Sequence, residues 1–316
     1  MRVMKAFYAD HFVLDLPAGH RFPMRKYQLL HEGVAQHWPQ IRLLEAPAAA
    51  VSALARVHSQ PYIDAVLQGH LSPAAQREIG FPWSPRMAER ALRSVGATVA
   101  AMHWALRDGV AANLAGGTHH AYADKGGGFC VFNDIAVAAR QAQADWAQAH
   151  GTVMPIAVLD LDVHQGNGTA HIFSGDPSVY TCSLHGEKNF PFRKEASDLD
   201  IGLPDNCTDA DYLCALDQAL EALWQHGTPA LLFYLAGADP YVGDRLGRLA
   251  LSAQGLRQRD ARVFAACAQR GVPVVMVMGG GYADPIEDTV TIQLASYGEA
   301  LAAWQRWQGG TRRTLE

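Results

Sequence analysis

Two carboxylates and an imidazole follow apolar runs of this sequence, where each is costly to bury unless a cation or a hydrogen-bond partner pairs with it. Asp162 and His164, in LDLDVHQGNGT (159–169), are two residues apart and lie on the same side of an extended chain. Asp239 follows a second apolar run, FYLAGA. Three protein ligands with one open position are typical of a catalytic metal site. Two oxygens and one nitrogen suit Zn²⁺, Fe²⁺ or Mn²⁺, and ligand type does not choose among them.

Two further groups point to acid–base chemistry. The adjacent His119 and His120 follow a Gly-Gly pair, where a general acid and base are a better interpretation than a structural pair. Tyr282 follows three glycines and could aim its hydroxyl at an oxyanion beside the metal. A lone Asp-x-His is more often a helix cap or a surface pair, and a lone tyrosine is often ordinary packing. The combination of these residues, rather than any one of them, favours a catalytic site.

Such a site needs a scaffold that brings distant segments together. Short apolar runs alternate with helical patterns, and continuous runs of this kind are typical of strands buried on both faces. The predicted strands are 3–8, 112–117, 155–162, 178–184, 230–237 and 272–280. The predicted helix caps, each with its terminal glycine, are Asn133 with Gly151, Thr208 with Gly227, and Ser252 with Gly271. The alternation predicts an α/β fold, a mostly parallel sheet with helices on both faces.

The polar clusters stand where a parallel sheet would use them. Sites in such sheets form beyond the carboxyl ends of the strands. Five clusters directly follow or end apolar runs: Thr118-His119-His120, Asp160 with Asp162 and His164, Ser183 with His185, Asp239, and Gly279 to Tyr282. The sequence therefore predicts one site at one edge of the sheet.

Composition narrows the class of protein. The chain has 316 residues, of which 49% are hydrophobic and 18% charged, and this excludes a disordered chain. The net charge is −5 and the basic residues are scattered, which argues against a nucleic-acid partner. Five cysteines without a CxxC pair suggest a reducing compartment, and no signal peptide or membrane-spanning run is evident. We expect one cytoplasmic domain over residues 1–316, with its oligomeric state open.

Four segments resemble the motif set of the zinc-dependent histone deacetylase superfamily. They are GGTHHAYADKGGGFCVFND (116–134), LDLDVHQGNGT (159–169), LAGADPYVGDRLGRL (235–249) and GGGYADP (279–285). HQGNG and GADPYVGDRLGRL are most similar to class IV-like and bacterial members. The resemblance implies the arginase/deacetylase fold, a mostly parallel sheet of about eight strands in one domain.

The resemblance also implies a role for each site residue. Asp162, His164 and Asp239 would be zinc ligands, and Tyr282 the catalytic tyrosine. Asp160 would hydrogen-bond His119. His120 would face Asn167, where many class I members have an aspartate. A neutral amide can fix the tautomer of His120 without raising its pKa, so His120 would be the neutral base and His119 the protonated or electrostatic partner.

A structural K⁺ and a substrate tunnel follow from the same resemblance. The potassium ligands would be Asp160, the carbonyls of Asp162, His164 and Leu184, and the hydroxyl of Ser183. The expected reaction is hydrolysis of an acyl-lysine amide by metal-activated water. The expected substrate-binding residues are Gly128, Phe129, Phe190, Leu246 and Gly280. Arg21 loosely matches an arginine near an acetate-release channel, and a surface salt-bridge residue is an equal alternative.

Three alternatives are weighed on site chemistry. An arginase-type enzyme needs two metals, but Gly166 stands where one additional carboxylate would be, and the later loop, Gly237-Ala238-Asp239, also lacks one of the two alternating aspartates. An acetylpolyamine amidohydrolase, or another enzyme acting on a small acylated amine, would favour a carboxylate where Leu246 stands, although other loops could supply one. No acidic residue that could grip a peptide backbone is evident in QREIGFPW (76–83). A catalytically dead module would lack a ligand, a histidine or Tyr282, and none is missing.

Overall fold

One parallel sheet organises the protein. The structure is a computed structural model that describes residues 2–17 and 19–309. Within these residues, eight strands pair in the order β2-β1-β3-β8-β7-β4-β5-β6, and every pairing is parallel. The strands are β1 Met4–Tyr8, β2 Ile41–Glu45, β3 Val110–Asn113, β4 Ile156–Asp160, β5 Val179–Gly186, β6 Leu199–Leu203, β7 Leu231–Leu235 and β8 Val274–Val277. The predicted α/β fold is confirmed.

Helices cover both faces of the sheet. They are α1 Arg25–His37, α2 Val51–Leu54, α3 Gln60–Gln68, α4 Pro73–Ile79, α5 Pro85–Asp108, α6 Asp134–His150, α7 Asn167–Phe173, α8 Asp209–His226, α9 Ala253–Arg270 and α10 Ile286–Gly309. The side chains of α1, α8, α9 and α10 join one core, and those of α5 and α6 join the other. No helix of the described residues has both the length and the apolar character needed to cross a membrane.

Strands β7 and β8 are apolar along their whole length because each faces a core on both sides. In β7, Leu232 and Tyr234 join one core while Leu231, Phe233 and Leu235 join the other. Successive strand residues point to opposite faces, so a two-sided core needs an unbroken apolar run. Since all strands run in the same direction, their carboxyl ends meet at one edge, as the site prediction requires.

Two of the three predicted helix caps form, and the third does not. The Asn133 side chain accepts a hydrogen bond from Ala136 N–H at 2.9 Å, and Ser252 accepts from Gly255 N–H at 3.0 Å. Thr208 begins α8 without a side-chain cap, so this part of the prediction is wrong. Instead, Asp209 binds the backbone N–H of Ser252 at 2.8 Å, which links the starts of α8 and α9.

Candidate metal centre and active site

The predicted site residues surround one cavity at the carboxyl edge of the sheet. The cavity holds about 80 Å³ and is lined by His119, His120, Asp162, His164 and Tyr282. These side chains come from the segments that follow β3, β4 and β8. The β5 cluster does not reach the cavity lining: His185 is buried and lies 3.0 Å from the Ser183 hydroxyl. Strand direction therefore gathers residues that are more than 150 positions apart in the sequence.

Asp162, His164 and Asp239 form the Asp-His-Asp set that their sequence positions predict. One possible ligand atom from each residue lies within 4.8 Å of the others, and all three residues are buried. His164 Nδ1 is 2.9 Å from Asp162 Oδ1 and 3.2 Å from Asp239 Oδ2. Across residues 2–17 and 19–309, no other group of three acidic, histidine or cysteine side chains is arranged to hold a metal ion.

The surroundings of this set favour a cation. Asp239 Oδ2 is buried and finds no hydrogen-bond partner among the described residues, whereas Oδ1 accepts from Val163 N–H at 2.9 Å. An ideal Cβ on Gly280 would overlap Asp239 Oδ2, so only glycine leaves this oxygen accessible. Burial lowers the pKa of His164, but the nearby carboxylates of Asp162 and Asp239 outweigh burial and raise it to about 10. A buried carboxylate oxygen that accepts no hydrogen bond, next to a second carboxylate and an imidazole, fits a divalent metal.

His119 is paired with a carboxylate. Its Nδ1 lies 2.6 Å from Asp160 Oδ2, and both side chains are almost fully buried. An ionised carboxylate only accepts hydrogen bonds, so Nδ1 donates. Burial lowers the pKa of His119, but the Asp160 carboxylate outweighs burial and raises it to about 9. His119 is therefore positively charged at neutral pH.

His120 is paired with an amide and has the opposite electrostatics. Its Nδ1 donates to Asn167 Oδ1 at 2.7 Å, and Asn167 Nδ2 donates to the Tyr122 hydroxyl at 3.0 Å. Burial and the neighbouring charge of His119 hold the pKa of His120 well below its usual value. The two rings lie 4.1 Å apart by their centroids. The site thus has one charged and one neutral imidazole side by side.

Tyr282 brings a phenol to the same cavity. Burial, with the nearby Asp239 and Asp162 carboxylates, raises the pKa of Tyr282 well above its usual value, so the hydroxyl stays protonated. A protonated phenol in a dry site can donate to a developing oxyanion.

Asp244 and Arg245 hold the backbone of Tyr282. Asp244 Oδ2 accepts a hydrogen bond from Tyr282 N–H at 2.6 Å, and Arg245 Nε donates to the Tyr282 carbonyl at 3.0 Å. The other oxygen of Asp244 accepts from the N–H groups of Leu246 and Gly247. Both residues lie in the GADPYVGDRLGRL motif, but sequence reasoning assigned them no role.

Arg259 is a further buried residue that sequence reasoning missed. Its Nη1 donates to the carbonyl of Gly237 at 2.5 Å and to that of Leu161 at 3.3 Å. Leu161 directly precedes Asp162, and Gly237 is two residues before Asp239. The Arg259 guanidinium therefore ties together the two segments that carry the aspartates of the metal set. A single arginine within a helical pattern carries no sequence signal of such a contact.

A wider opening leads from the cavity to the surface. Gly128, Phe129, Phe190 and Leu246 line it, together with Tyr282. The ring of Phe190 stands edge-on to that of His120, with centroids 4.9 Å apart. These residues lie where a tunnel wall is expected. Gly280 instead lines the inner cavity and donates its N–H to Asp162 at 2.7 Å, beside the metal set rather than at the mouth.

The arginine in the lining of the inner cavity is Arg90, not Arg21. Arg90 lines this cavity together with Tyr27, and its guanidinium lies 4.5 Å from the Tyr27 ring centroid. Arg21 is exposed at the outer mouth, so the match to an inner channel arginine is wrong. Its neighbour His20 lies 2.9 Å from the carbonyl of Gly80, and the adjacent Arg21 is left facing solvent.

The site has no room for the carboxylates of a two-metal arginase-type centre. An ideal Cβ on Gly166 would overlap Asp160 Oδ2, and one on Gly237 would come within 2.8 Å of Asp162 Oδ2 and of Asp239 Oδ1. One acidic residue of segment 76–83, Glu78, does reach the mouth, but it lies 3.1 Å from Lys125 in an ion pair.

Comparisons with known proteins show which family and which solved structures the chain resembles. A sequence profile of the histone deacetylase domain matches residues 20–296. An uncharacterized protein of Picosynechococcus sp. is 46% identical over 288 residues, which cover 90% of this chain and 93% of that protein. The histone deacetylase-like amidohydrolase of Pseudomonas aeruginosa is 32% identical over 265 residues, covering 78% of this chain and 67% of that protein. The crystal structure of an HDAC homologue from Aquifex aeolicus matches the fold with a TM-score of 0.82, at 23% identity, over 95% of this chain and 84% of that one.

Proposed function

The chain belongs to the histone deacetylase domain family, and on this basis we propose that it is a zinc-dependent amidohydrolase that removes acetyl or other acyl groups from lysine side chains. The observation that carries the proposal is the buried Asp-His-Asp set placed beside two imidazoles with opposite electrostatics. The proposal takes residues 1–316 as a single catalytic domain.

Zinc would be held by Asp162, His164 and Asp239, and when bound it supplies a Lewis acid for the acyl carbonyl and lowers the pKa of water. The protein supplies the remaining chemistry. Gly280 keeps space beside Asp239 Oδ2, and Arg259 holds the two aspartate-bearing segments in place. Fe²⁺ would suit the same ligand set.

His120 is proposed as the general base. It must be neutral to accept a proton from the attacking water, and its low pKa keeps it neutral. Its Nδ1 is engaged by Asn167, which leaves Nε2 as the free acceptor. The proton then passes to the leaving amine.

His119 and Tyr282 are proposed to stabilise the charge that develops on the acyl oxygen. The charged His119 holds a positive field in the cavity, and the Tyr282 hydroxyl donates to the oxyanion. The backbone anchor provided by Asp244 sets the position of the phenol.

A structural K⁺ beneath the site remains a proposal. Asp160 and Ser183 are direct neighbours in the pairing of β4 with β5, and both are buried. The proposed ligands, which include the carbonyls of Asp162, His164 and Leu184, are all oxygens, as a hard cation requires. No catalytic step depends on this ion.

A panel of amide substrates tests the proposed function. Zinc-loaded protein should release the acyl group from acetyl-, longer acyl- and trifluoroacetyl-lysine peptides faster than from acetylated polyamines. The apolar Leu246 at the mouth offers no partner to a distant ammonium, which is the physical reason for this order. Asp162→Ala should abolish turnover. Faster cleavage of the polyamines would assign the site to small acylated amines, and retained activity in Asp162→Ala would exclude the proposed metal site.

A further inference from the structure

The mouth of the site is surrounded by basic side chains. Arg21, Arg77, Lys188 and Arg248, here called the basic rim, line the opening, which holds about 440 Å³. All four side chains are exposed. Among the described residues, Glu78 is the one acidic residue in that lining. The whole chain has a net charge of −5, so the charge at the mouth is opposite in sign to that of the protein.

The neighbouring carboxylates do not neutralise the basic rim. Glu78 is paired with Lys125 at 3.1 Å. Arg248 and Lys188 share one carboxylate, that of Asp205, at 3.3 and 3.8 Å.

Two of the four cations of the basic rim have no ion-pair partner among the described residues. Arg21 and Arg77 form no ion pair within the described parts of the chain. Counting the rim with its ion-pair partners gives five cations and two carboxylates, a net charge of +3. A patch of one sign around a cleft raises the local concentration of oppositely charged substrates and repels those of like charge.

The opening also carries exposed aromatic surface. Phe192 is 87% exposed and Phe190 is 41% exposed, and both line the mouth beside the basic rim. Exposed apolar side chains with a polar surround mark a surface for contact with another molecule. The proposed function places the acyl-lysine side chain in the tunnel, so the basic rim and the two phenylalanines would face the part of the substrate that stays outside.

We propose that the substrate is an acyl-lysine in an acidic sequence, with carboxylate side chains within about three residues on either side, a span of roughly 10 Å. This inference rests on the proposed function and names its substrate class. A lysine- and arginine-rich segment would bring like charges to the basic rim, and so would a polyamine.

Three acetyl-lysine peptides of equal length test the inference, with the lysine flanked by Glu, Gln or Lys. For zinc-loaded protein at low ionic strength, kcat/KM should fall in the order Glu, Gln, Lys, with about a tenfold span between the extremes. The span should shrink at about 1 M salt, where exposed charges are screened over roughly 3 Å. Arg77→Glu should reduce the span by about threefold or more.

Arg56 provides the matched control. It is exposed and lies with Ser178, which precedes β5, at the opposite edge of the sheet. Arg56→Glu makes the same charge change and should leave the ratio of Glu to Lys peptides unaltered. An equal loss in both variants would show an effect of net charge alone and would overturn the role of the basic rim.

Equal rates for the three peptides, or a preference for the Lys peptide, would also overturn the inference. If the zinc-loaded protein cleaves none of them, the proposed acyl-lysine activity fails separately. Binding of the same peptides, labelled and followed by fluorescence anisotropy, then decides the inference by itself. Tighter binding of the Glu peptide supports it, and equal or weaker binding overturns it.

Discussion

Replacing the amide partner of His120 by a carboxylate should move the pH dependence of the enzyme upward. Asn167→Asp places a charge 2.7 Å from His120 Nδ1. The neighbouring pair shows what such a charge does, because Asp160 lies 2.6 Å from His119 and raises the pKa of that histidine to about 9 against the effect of burial. An opposite charge this close shifts a pKa by about 1–3 units.

The sign follows from the role of His120. A general base works when neutral, so kcat/KM falls as the pH drops through its pKa, and a higher pKa moves this acid limb upward. The assay is kcat/KM for an acetyl-lysine peptide from about pH 5 to about pH 9, since that ratio reports the pKa of the free enzyme. The acid limb of Asn167→Asp should lie about 1–3 pH units above that of the parent.

Tyr122→Phe is the control for this variant. It removes the hydrogen bond between Asn167 Nδ2 and the Tyr122 hydroxyl without adding a charge, so its acid limb should not move. Metal content is measured at each pH, so that a fall in kcat/KM caused by loss of zinc can be distinguished from one caused by protonation of His120. An unmoved limb in Asn167→Asp, with metal and fold retained, would refute His120 as the base. Equal shifts in both variants would trace the effect to the lost hydrogen bond.

Three further substitutions test the roles proposed for Tyr282, Asp244 and Gly280. Tyr282→Phe should lower kcat by about 10²–10³, roughly 3–4 kcal/mol, with little change in KM and a smaller loss on trifluoroacetyl-lysine; a change within a few-fold would return Tyr282 to a packing role. Asp244→Asn can place an amide N–H donor opposite the Tyr282 N–H, which would displace the phenol, so kcat should fall about tenfold or more at unchanged zinc content. Loss of zinc from this variant would contradict a role that acts through Tyr282. Gly280→Ala should weaken zinc binding in competition with a chelator, because its Cβ overlaps Asp239 Oδ2. Gly309→Ala, whose Cβ meets none of the described residues within 4 Å, should not.

Strands buried on both faces could be predicted from the sequence, and edge strands could not. The runs that became β4, β7 and β8 are continuous and apolar up to the carboxyl end of the strand because each is covered by helices on both sides. The two missed strands, β2 and β6, are the two edges of the sheet, and both are partly exposed. IRLLE and LDIGL lack an unbroken apolar run for this reason. The predicted strand 112–117 ends early, at Asn113, because Gly116 and Gly117 adopt positive φ in the turn that leads to the histidine pair.

The candidate site could be predicted where its residues follow buried strands. Asp162, His164 and Asp239 are gathered by strand direction alone, which the apolar runs already imply. Contacts between loops follow no such rule. The basic rim joins residues 21, 77, 188 and 248, and nothing in the local sequence of any one of them indicates the other three. Arg90 faces the inner cavity from a long helix for the same reason, since only tertiary packing decides which arginine of that helix points inward.

Titration of metal-free protein with Zn²⁺, with acetate release from an acetyl-lysine peptide as the readout, tests the central claim most directly. The Asp-His-Asp set, the one such group in the described part of the chain, predicts that activity rises to a plateau at one zinc per chain and that Asp162→Ala shows neither zinc binding nor activity. Full activity in the metal-free protein, or a plateau that requires two zinc ions per chain, would contradict the account.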